Sequence, residues 1–430
     1  MISKELKYPL LVFFLINLLS LNINAENKKI KEIGKTLINY VSPKTYKSGP
    51  RNWSIAQDNR GVMYFGNEAG VLEFDGNFWR KIAVPGNQTV RSITSDKNGR
   101  IYVCASTDFG YLAPDSIGQL KFNSLLPFLD EKYKQFGEVW DVETSSEGVF
   151  FKTKNQIFKW DGSKISVWDS VFAFRLYNIN DTIYSRNDGV GLMQVDKDKL
   201  KLTPGGEFFA SIGVYDILPF NKNEFGKTES ILVTTNSNGI FIQEDGKFIP
   251  FKTEADEYLM NNQIYNTKLT SNSNYVFATQ RGGVVVVNKK GELKKIVNEQ
   301  SGLITNVCFD IYSDNNHGLW IASDYGISYL KEPSSVSIFK NSGMLKNIAY
   351  SVRRKNNRLY ATNELGVLIW QGENKGFQLL DGSNEPAFAF AEFNDQLLVG
   401  TNSGTYIVEE NSLGKYISKA SARFICVSKV

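Results

Sequence analysis

The chain reads as all-β: tandem propellers of four-stranded blades, with a first ring of seven blades and a second ring that is incomplete. A strand–turn–strand pattern recurs nine times along its 430 residues at a spacing of roughly 40, the length of one four-stranded blade. Aromatic residues make up 13%, and 35 Gly stand against 11 Pro, a composition suited to short strands and tight turns. No segment keeps a helical period long enough to compete.

The first element is an address. Lys4, Glu5 and Lys7 precede an apolar run from Tyr8 to Ile23, and Ala25 stands before the polar Glu26. That order reads as a secretory signal peptide over residues 1–25, and the run is short for a membrane span. No cysteine lies near the cleavage point, so the pattern is not that of a lipoprotein. The rest of the sequence has no second apolar run and is expected outside the cytoplasm, in the periplasm or on the extracytoplasmic face of the inner membrane.

The repeats follow from Asn52. Their second strands include VMYFGNE at Val62, RIYVCAS at Arg100, GVFFKTK at Gly148 and TIYSRND at Thr182. SILVTTN at Ser230, YVFATQR at Tyr275, GLWIASD at Gly318, RLYATNE at Arg358 and QLLVGTN at Gln396 continue the series. A glycine usually follows within a few residues, as at Gly70, Gly239, Gly283, Gly326, Gly366 and Gly404. Asp75-Gly76, Asp161-Gly162 and Asp245-Gly246 close hairpins, where Asp-Gly supplies the positive φ of a tight connection. Units three and four depart from the pattern: Asn155 stands where a turn glycine is expected, and Asn187-Asp188-Gly189 is irregular.

Nine units exceed one ring, which usually holds four to eight blades. The first propeller is therefore expected over residues 26–345, with Leu37–Tyr40 adding an outer strand to the last blade. The second is expected to begin at Lys346 and run, truncated, to residue 430. Arg423–Val430 reads as the first strand of a tenth unit, which makes the sequence a fragment of a longer polypeptide with an open edge.

Composition removes many functions. Lys+Arg at 49 against Asp+Glu at 45 leaves +4, evenly spread, with no footprint for nucleic acid. One histidine and three scattered cysteines argue against zinc sites, histidine-based catalysis and a disulfide framework. His317 reads as a turn residue, and Cys104, Cys308 and Cys426 as isolated thiols in strands. Gly205-Gly206 and Gly282-Gly283 precede no helix and so build no phosphate cradle. Asp58, Asp96 and Asp314 lie in turns without the alternating ligands of a calcium loop. No catalytic residue, metal ligand or cofactor is expected. Paired catalytic carboxylates from distant blades stay open, although the Ser-x-Asp-x-Gly-x-Thr-Trp box of sialidase blades is absent.

One constellation points to binding. Aligned on their second strands, the units place Trp53, Arg91, Trp140, Arg175, Tyr215, Tyr265 and Phe309 in one column at the start of the innermost strand. Ile55, Ile93, Val142, Tyr177, Ile217, Thr267 and Ile311 follow two positions later, on the same face by simple alternation. The second column suits blade packing. The first is either packing at the rim or a ring around the channel mouth, with aromatic faces for sugar or peptide and two guanidiniums for an anion.

Asn52–Trp79, NWSIAQDNRGVMYFGNEAGVLEFDGNFW, resembles the first blade of the regulator-propeller sensors of Bacteroidetes. Asp314–Gly326, DNNHGLWIASDYG, is similar to that family's repeat core. The resemblance covers nearly all of the mature chain and implies two periplasmic propellers, a triple-tyrosine immunoglobulin-like domain, one membrane helix and a cytoplasmic output module. The output would be a LuxR-type helix-turn-helix, a histidine kinase or a phosphatase, downstream of this segment. The implied function is ligand sensing in a transcriptional or two-component regulator, by a segment that is not itself an enzyme. Its expected partner is a small carbohydrate-like or anionic ligand or a protein. Membrane contact would come only through the downstream part, and the full-length form could be a homodimer. A secreted or surface propeller, such as a secretion-system component, and a carbohydrate-active propeller enzyme are the alternatives.

Overall fold

The computed structural model describes residues 35–196, 199–222, 228–331, 337–339, 342–346, 348–372 and 375–426. The leader read at residues 1–25 lies outside the described residues, as do the last four of the tenth unit. The chain divides into two compact units, one spanning Thr36–Val336 and another that takes in everything from Ser337 onward.

The first unit holds seven four-stranded antiparallel sheets, each with its strands in consecutive order except the last. The innermost strands are Asn52–Gln57, Val90–Ser95, Val139–Ser145, Tyr177–Ile179, Val214–Lys222, Ile264–Leu269 and Cys308–Ser313. Seven hydrophobic clusters fill the seven seams between neighbouring sheets. The seventh seam joins Ile55, Phe65 and Leu72 of the first sheet to Trp320, Ala322 and Ile327 of the last, so the ring is closed. Strands in the middle of a blade are covered on both faces. This explains continuous apolar runs such as Val284–Asn288, VVVVN, in place of alternation.

Ring closure uses the amino-terminal segment. Asn39–Val41 pairs antiparallel with Ile327–Lys331 as the outermost strand of the seventh sheet, one residue later than Leu37–Tyr40 would end. The helix Pro43–Tyr46 follows, capped by Ser42, whose hydroxyl accepts from Thr45 N. The fully buried Asn52 then locks the seam. Its Nδ2 donates to Tyr46 Oη, Pro50 O and Gly326 O at 3.2 Å each, and its Oδ1 accepts from Asn67 Nδ2 at 2.9 Å.

The boundary between the units falls at Val336/Ser337, nine residues ahead of the Leu345/Lys346 break expected from repeat counting. Packing explains the shift. Phe339, Met344 and Leu345 pack with Trp370 and Phe377, so this segment is part of the second unit's core. That unit has two four-stranded sheets, with inner strands Ser351–Lys355 and Ala387–Phe393.

The irregular units three and four form sheets, and a buried lysine ties the turn of unit three to the connection into unit four. In five other blades the residue paired across from the residue directly after the rim is small: Gly66, Cys104, Thr234, Ala278 and Ala322. In blade three it is Lys152, which is fully buried. Its ammonium donates to Thr153 O at 2.5 Å, Val171 O at 2.7 Å and Gln156 O at 3.2 Å. It thereby ties the long connection into blade four, whose innermost strand has only three residues, to the turn around Asn155.

Candidate functional site

A β-bulge builds the rim. In six of the seven blades the register slips by one residue at the start of the innermost strand, and the residue skipped is Trp53, Arg91, Trp140, Tyr215, Tyr265 or Phe309. A bulge leaves its extra residue out of the ladder and re-aims the side chain. In blade four Arg175 precedes the short strand Tyr177–Ile179 and takes the same place. The bulge also corrects the expectation from simple alternation: the two columns do not share a face. Trp53, Arg91, Trp140, Arg175, Tyr215, Tyr265 and Phe309 are all half-buried around the channel mouth, whereas Ile55, Ile93, Val142 and Ile311 are buried between blades.

All seven rim residues line one cavity of about 1050 Å³ on the axis of the ring. From Arg175 through Tyr215, Tyr265, Phe309, Trp53 and Arg91 to Trp140, each touches the next. Phe309 stacks on Trp53 with ring centroids 4.3 Å apart, and the Arg91 guanidinium sits 4.5 Å from the Trp53 ring and 4.9 Å from Trp140. On the other side Arg175 lies 4.5 Å from Tyr265 and 5.7 Å from Tyr215, Tyr215 meets Tyr265 edge-on, and Tyr265 meets Phe309 edge-on. The result is an aromatic belt holding two cations against ring faces, an arrangement worth about 0.5–1 kcal/mol per exposed contact. Phe174 meets Trp140 edge-on, and Phe172 and Phe174 stand half-exposed at the mouth.

A second ring of residues escaped the sequence reading. The position after each rim residue is Ser54, Ser92, Asp141, Asp216, Asn266 or Asp310 in six blades. Four of these side chains stitch a blade to the next by accepting from its backbone. Ser54 Oγ accepts from Ile93 N at 3.1 Å, Asp141 Oδ2 from Leu176 N at 2.9 Å, Asp216 Oδ2 from Thr267 N at 2.9 Å and Asp310 Oδ2 from Ile55 N at 2.7 Å. Ser92 Oγ instead donates to Asp141 Oδ1 at 2.7 Å. The recurrence of a short polar residue immediately after a bulky one was the available signal.

The floor of the funnel is charged. Glu143 and Lys268 line it with Asp141, Asp216 and Asp310. Burial raises Glu143 to about 8, Asp141 adding to the shift and Lys268 opposing it. Burial likewise raises Asp310 to about 6, against Lys268 and the amides of Ile55 and Ile311. For Lys268 burial works against the charge, but Asp216, Asp310 and Glu143 outweigh it and hold the group above its ordinary value.

These shifts give a testable sign. Unfolded Glu143 releases its proton near 4.5 and folded Glu143 near 8, so the stability this group contributes is complete below about 4.5 and is lost as pH rises through 8. Glu143→Gln is therefore expected to be more stable than the native chain at pH 8, by about 4 kcal/mol. The difference should shrink toward zero near pH 4.5, as denaturation midpoints across that range will show.

The other candidates resolve into structure. Asp58, Asp96 and Asp314 each accept two backbone amides of their own turn through Oδ1, at 2.7–3.0 Å. His317 sits in such a turn with φ 60°, its Nδ1 2.7 Å from the Ser271 hydroxyl and outside the funnel lining. Cys104 and Cys308 are buried free thiols, and Cys426 is a free exposed one. Among the described residues no group of three or more His, Cys, Asp or Glu is placed to hold a metal ion, and no helix is long and apolar enough to cross a membrane.

Residues 78–111 match the family model described as a beta-propeller repeat. No curated protein matches the chain by sequence. In structure the chain is similar to the extracellular domain of a protein described as a hybrid two-component system from B. thetaiotaomicron. That match has TM-score 0.58 and 16% identity, covering 89% of this chain and 60% of the other. It is also similar to the extracellular domain described as that of a one-component system from the same organism, at TM-score 0.52 and 15% identity, covering 88% of this chain and 53% of the other. Virginiamycin B lyase from Staphylococcus aureus aligns at TM-score 0.52 and 11% identity, over 69% of this chain and 99% of its own. The chain thus spans 53–60% of the length of the two extracellular domains. Its fold is the tandem β-propeller fold, and the resemblance read from the repeats agrees with the structural likeness.

Proposed function

We propose that this chain is the extracytoplasmic ligand-sensing region of a membrane-spanning signalling regulator, with the funnel of the seven-bladed ring as its binding surface. The observation that carries the reading is the belt of Trp53, Arg91, Trp140, Arg175, Tyr215, Tyr265 and Phe309 around an open cavity. Flat aromatic faces suit the C–H surface of a sugar ring or a peptide side chain, and guanidinium edges suit an anion. Likeness to extracellular domains described as parts of two-component and one-component systems supports the sensing role. In this reading the segment performs no chemistry. Ligand binding shifts the balance between poses of the propellers, which requires different affinity for each pose. The message passes to a downstream helix-turn-helix or histidine kinase.

The test is the double variant Trp53→Ala/Arg91→Ala of the whole natural protein in its host. Ligand-dependent transcription of the regulated genes should disappear while the protein remains folded and present at the native level. Normal signalling by a folded double variant would remove the funnel from the account.

A further inference from the structure

We infer that the funnel seats a ring-shaped ligand carrying a single carboxylate, and that the seat is the edge of Arg91, not that of Arg175. This rests on the reading of the funnel as a binding surface. The two guanidiniums of the belt differ in what already matches their charge. Arg175 donates Nη1–H to Tyr215 O at 3.2 Å. Burial acts against its charge, but Tyr265, Tyr177, Asp141 and Asp216 overcome that and hold the group above its ordinary value. Its cation is balanced inside the protein.

Arg91 is not balanced in this way. Among the described residues it is ion-paired with Glu138, at 3.7 Å, beyond hydrogen-bond length, and the Glu138 side chain is 42% exposed. Arg91 Nε is buried without a hydrogen-bond partner, while the side chain as a whole is 21% exposed. Indoles lie against the guanidinium at 4.5 and 4.9 Å, so an incoming acceptor has only the edge to approach. An edge-on guanidinium is the fork that matches a carboxylate in two parallel hydrogen bonds. The Trp53–Phe309 stack and the Trp140–Phe174 pair flank that edge and offer flat walls to the rest of a ring. A second carboxylate would meet Asp141, Glu143, Asp216 and Asp310, whose charges Lys268 and Arg175 already offset, while of the other cations lining the cavity Arg186 is paired with Asp188 and Lys154 lies toward blade four. One anionic group is therefore what the charges accommodate.

The rings of a sugar acid and of an aromatic acid share this chemistry, and tryptophan fluorescence can separate them, because Trp53 and Trp140 flank the seat. The chain is titrated with D-glucuronate, benzoate, D-glucose and benzyl alcohol. At least one acid should give saturable quenching, with its uncharged counterpart at least about 10-fold weaker and rising salt reducing the affinity. Arg91→Gln should weaken the acid about 10-fold or more. Arg91→Lys should recover only part of that loss, since an ammonium lacks the fork. Circular dichroism of both variants establishes that they are folded. Equal binding of acid and neutral probe, an undiminished Arg91→Gln, or no saturable response to either acid would overturn the inference. Glucose binding equally to native and Arg91→Gln proteins would dismiss the carboxylate seat and keep the funnel, whereas the signalling test above judges the funnel itself.

Discussion

Replacing Lys152 with Met is expected to cost the seven-bladed ring about 3 kcal/mol, the order of a buried charged hydrogen-bonding group lost without its acceptors. Methionine fills nearly the same volume, so the loss isolates the ammonium. Three carbonyls, of Thr153, Gln156 and Val171, would then face a thioether in a site with no exposure. Burial pushes the lysine down to about 7, and the three carbonyls are the partners that offset its removal from water. The effect should be concentrated where blade three hands over to blade four, because Val171 begins the connection to the three-residue strand Tyr177–Ile179. Urea midpoints of the two proteins provide the measurement. A loss below about 1 kcal/mol would mean that the carbonyls find other donors and that Lys152 merely fills space.

The second large effect is expected at the closing seam. Asn52→Leu keeps the approximate size but removes three donated hydrogen bonds and the acceptor for Asn67. The partners lie on separate elements: the helix ending at Tyr46, the first sheet through Asn67, and Gly326 of the seventh sheet. Each partner keeps another hydrogen bond, Asn67 Nδ2 to Gly49 O and Arg51 O, Pro50 O from Gly326 N, Gly326 O from Ser323 Oγ and Tyr46 Oη to Pro50 O, so the loss is that of the bonds to Asn52 itself, and about 2 kcal/mol is expected. The damage should be directional. Asn39–Val41, held as an outer strand only through Ile327–Tyr329, should become the first site of protease cleavage in the variant. Cleavage elsewhere first, with the seam intact, would place ring closure on the apolar cluster instead of on Asn52.

The blades were legible because their second strands repeat a strong apolar pattern, and both faces of those strands are buried in seams. The rim column was legible for a related reason: Trp53, Arg91, Trp140, Tyr215, Tyr265 and Phe309 each stand near the start of the strand that precedes one of those strands. Its geometry was not, since a bulge is a matter of register between strands and leaves no residue type that announces it. Strict alternation therefore placed Trp53 and Ile55 on one face, whereas the bulge leaves Trp53 out of the ladder and half-buried while Ile55 packs in the closing seam. The Ser54 and Asp310 stitches were overlooked because each acts on a backbone amide of the neighbouring blade, a partner that carries no sequence identity. The unit boundary moved to Val336/Ser337 for a tertiary reason, the packing of Leu345 and Phe339 beside Phe377.

The central claim is that the rim belt is a surface for ligand and not a part of the core. Comparing Trp53→Ala/Arg91→Ala with Ile55→Ala in equilibrium unfolding tests it most directly. The double variant removes far more side chain, yet its half-buried stacking and cation–π contacts should cost about 2 kcal/mol at most. Ile55 is 5% exposed within the closing seam, and its truncation should cost about 3 kcal/mol. A double variant less damaging than Ile55→Ala is the result expected of a binding rim. A double variant that costs more than Ile55→Ala would show that the belt is packing, and the funnel would lose its standing as the binding surface.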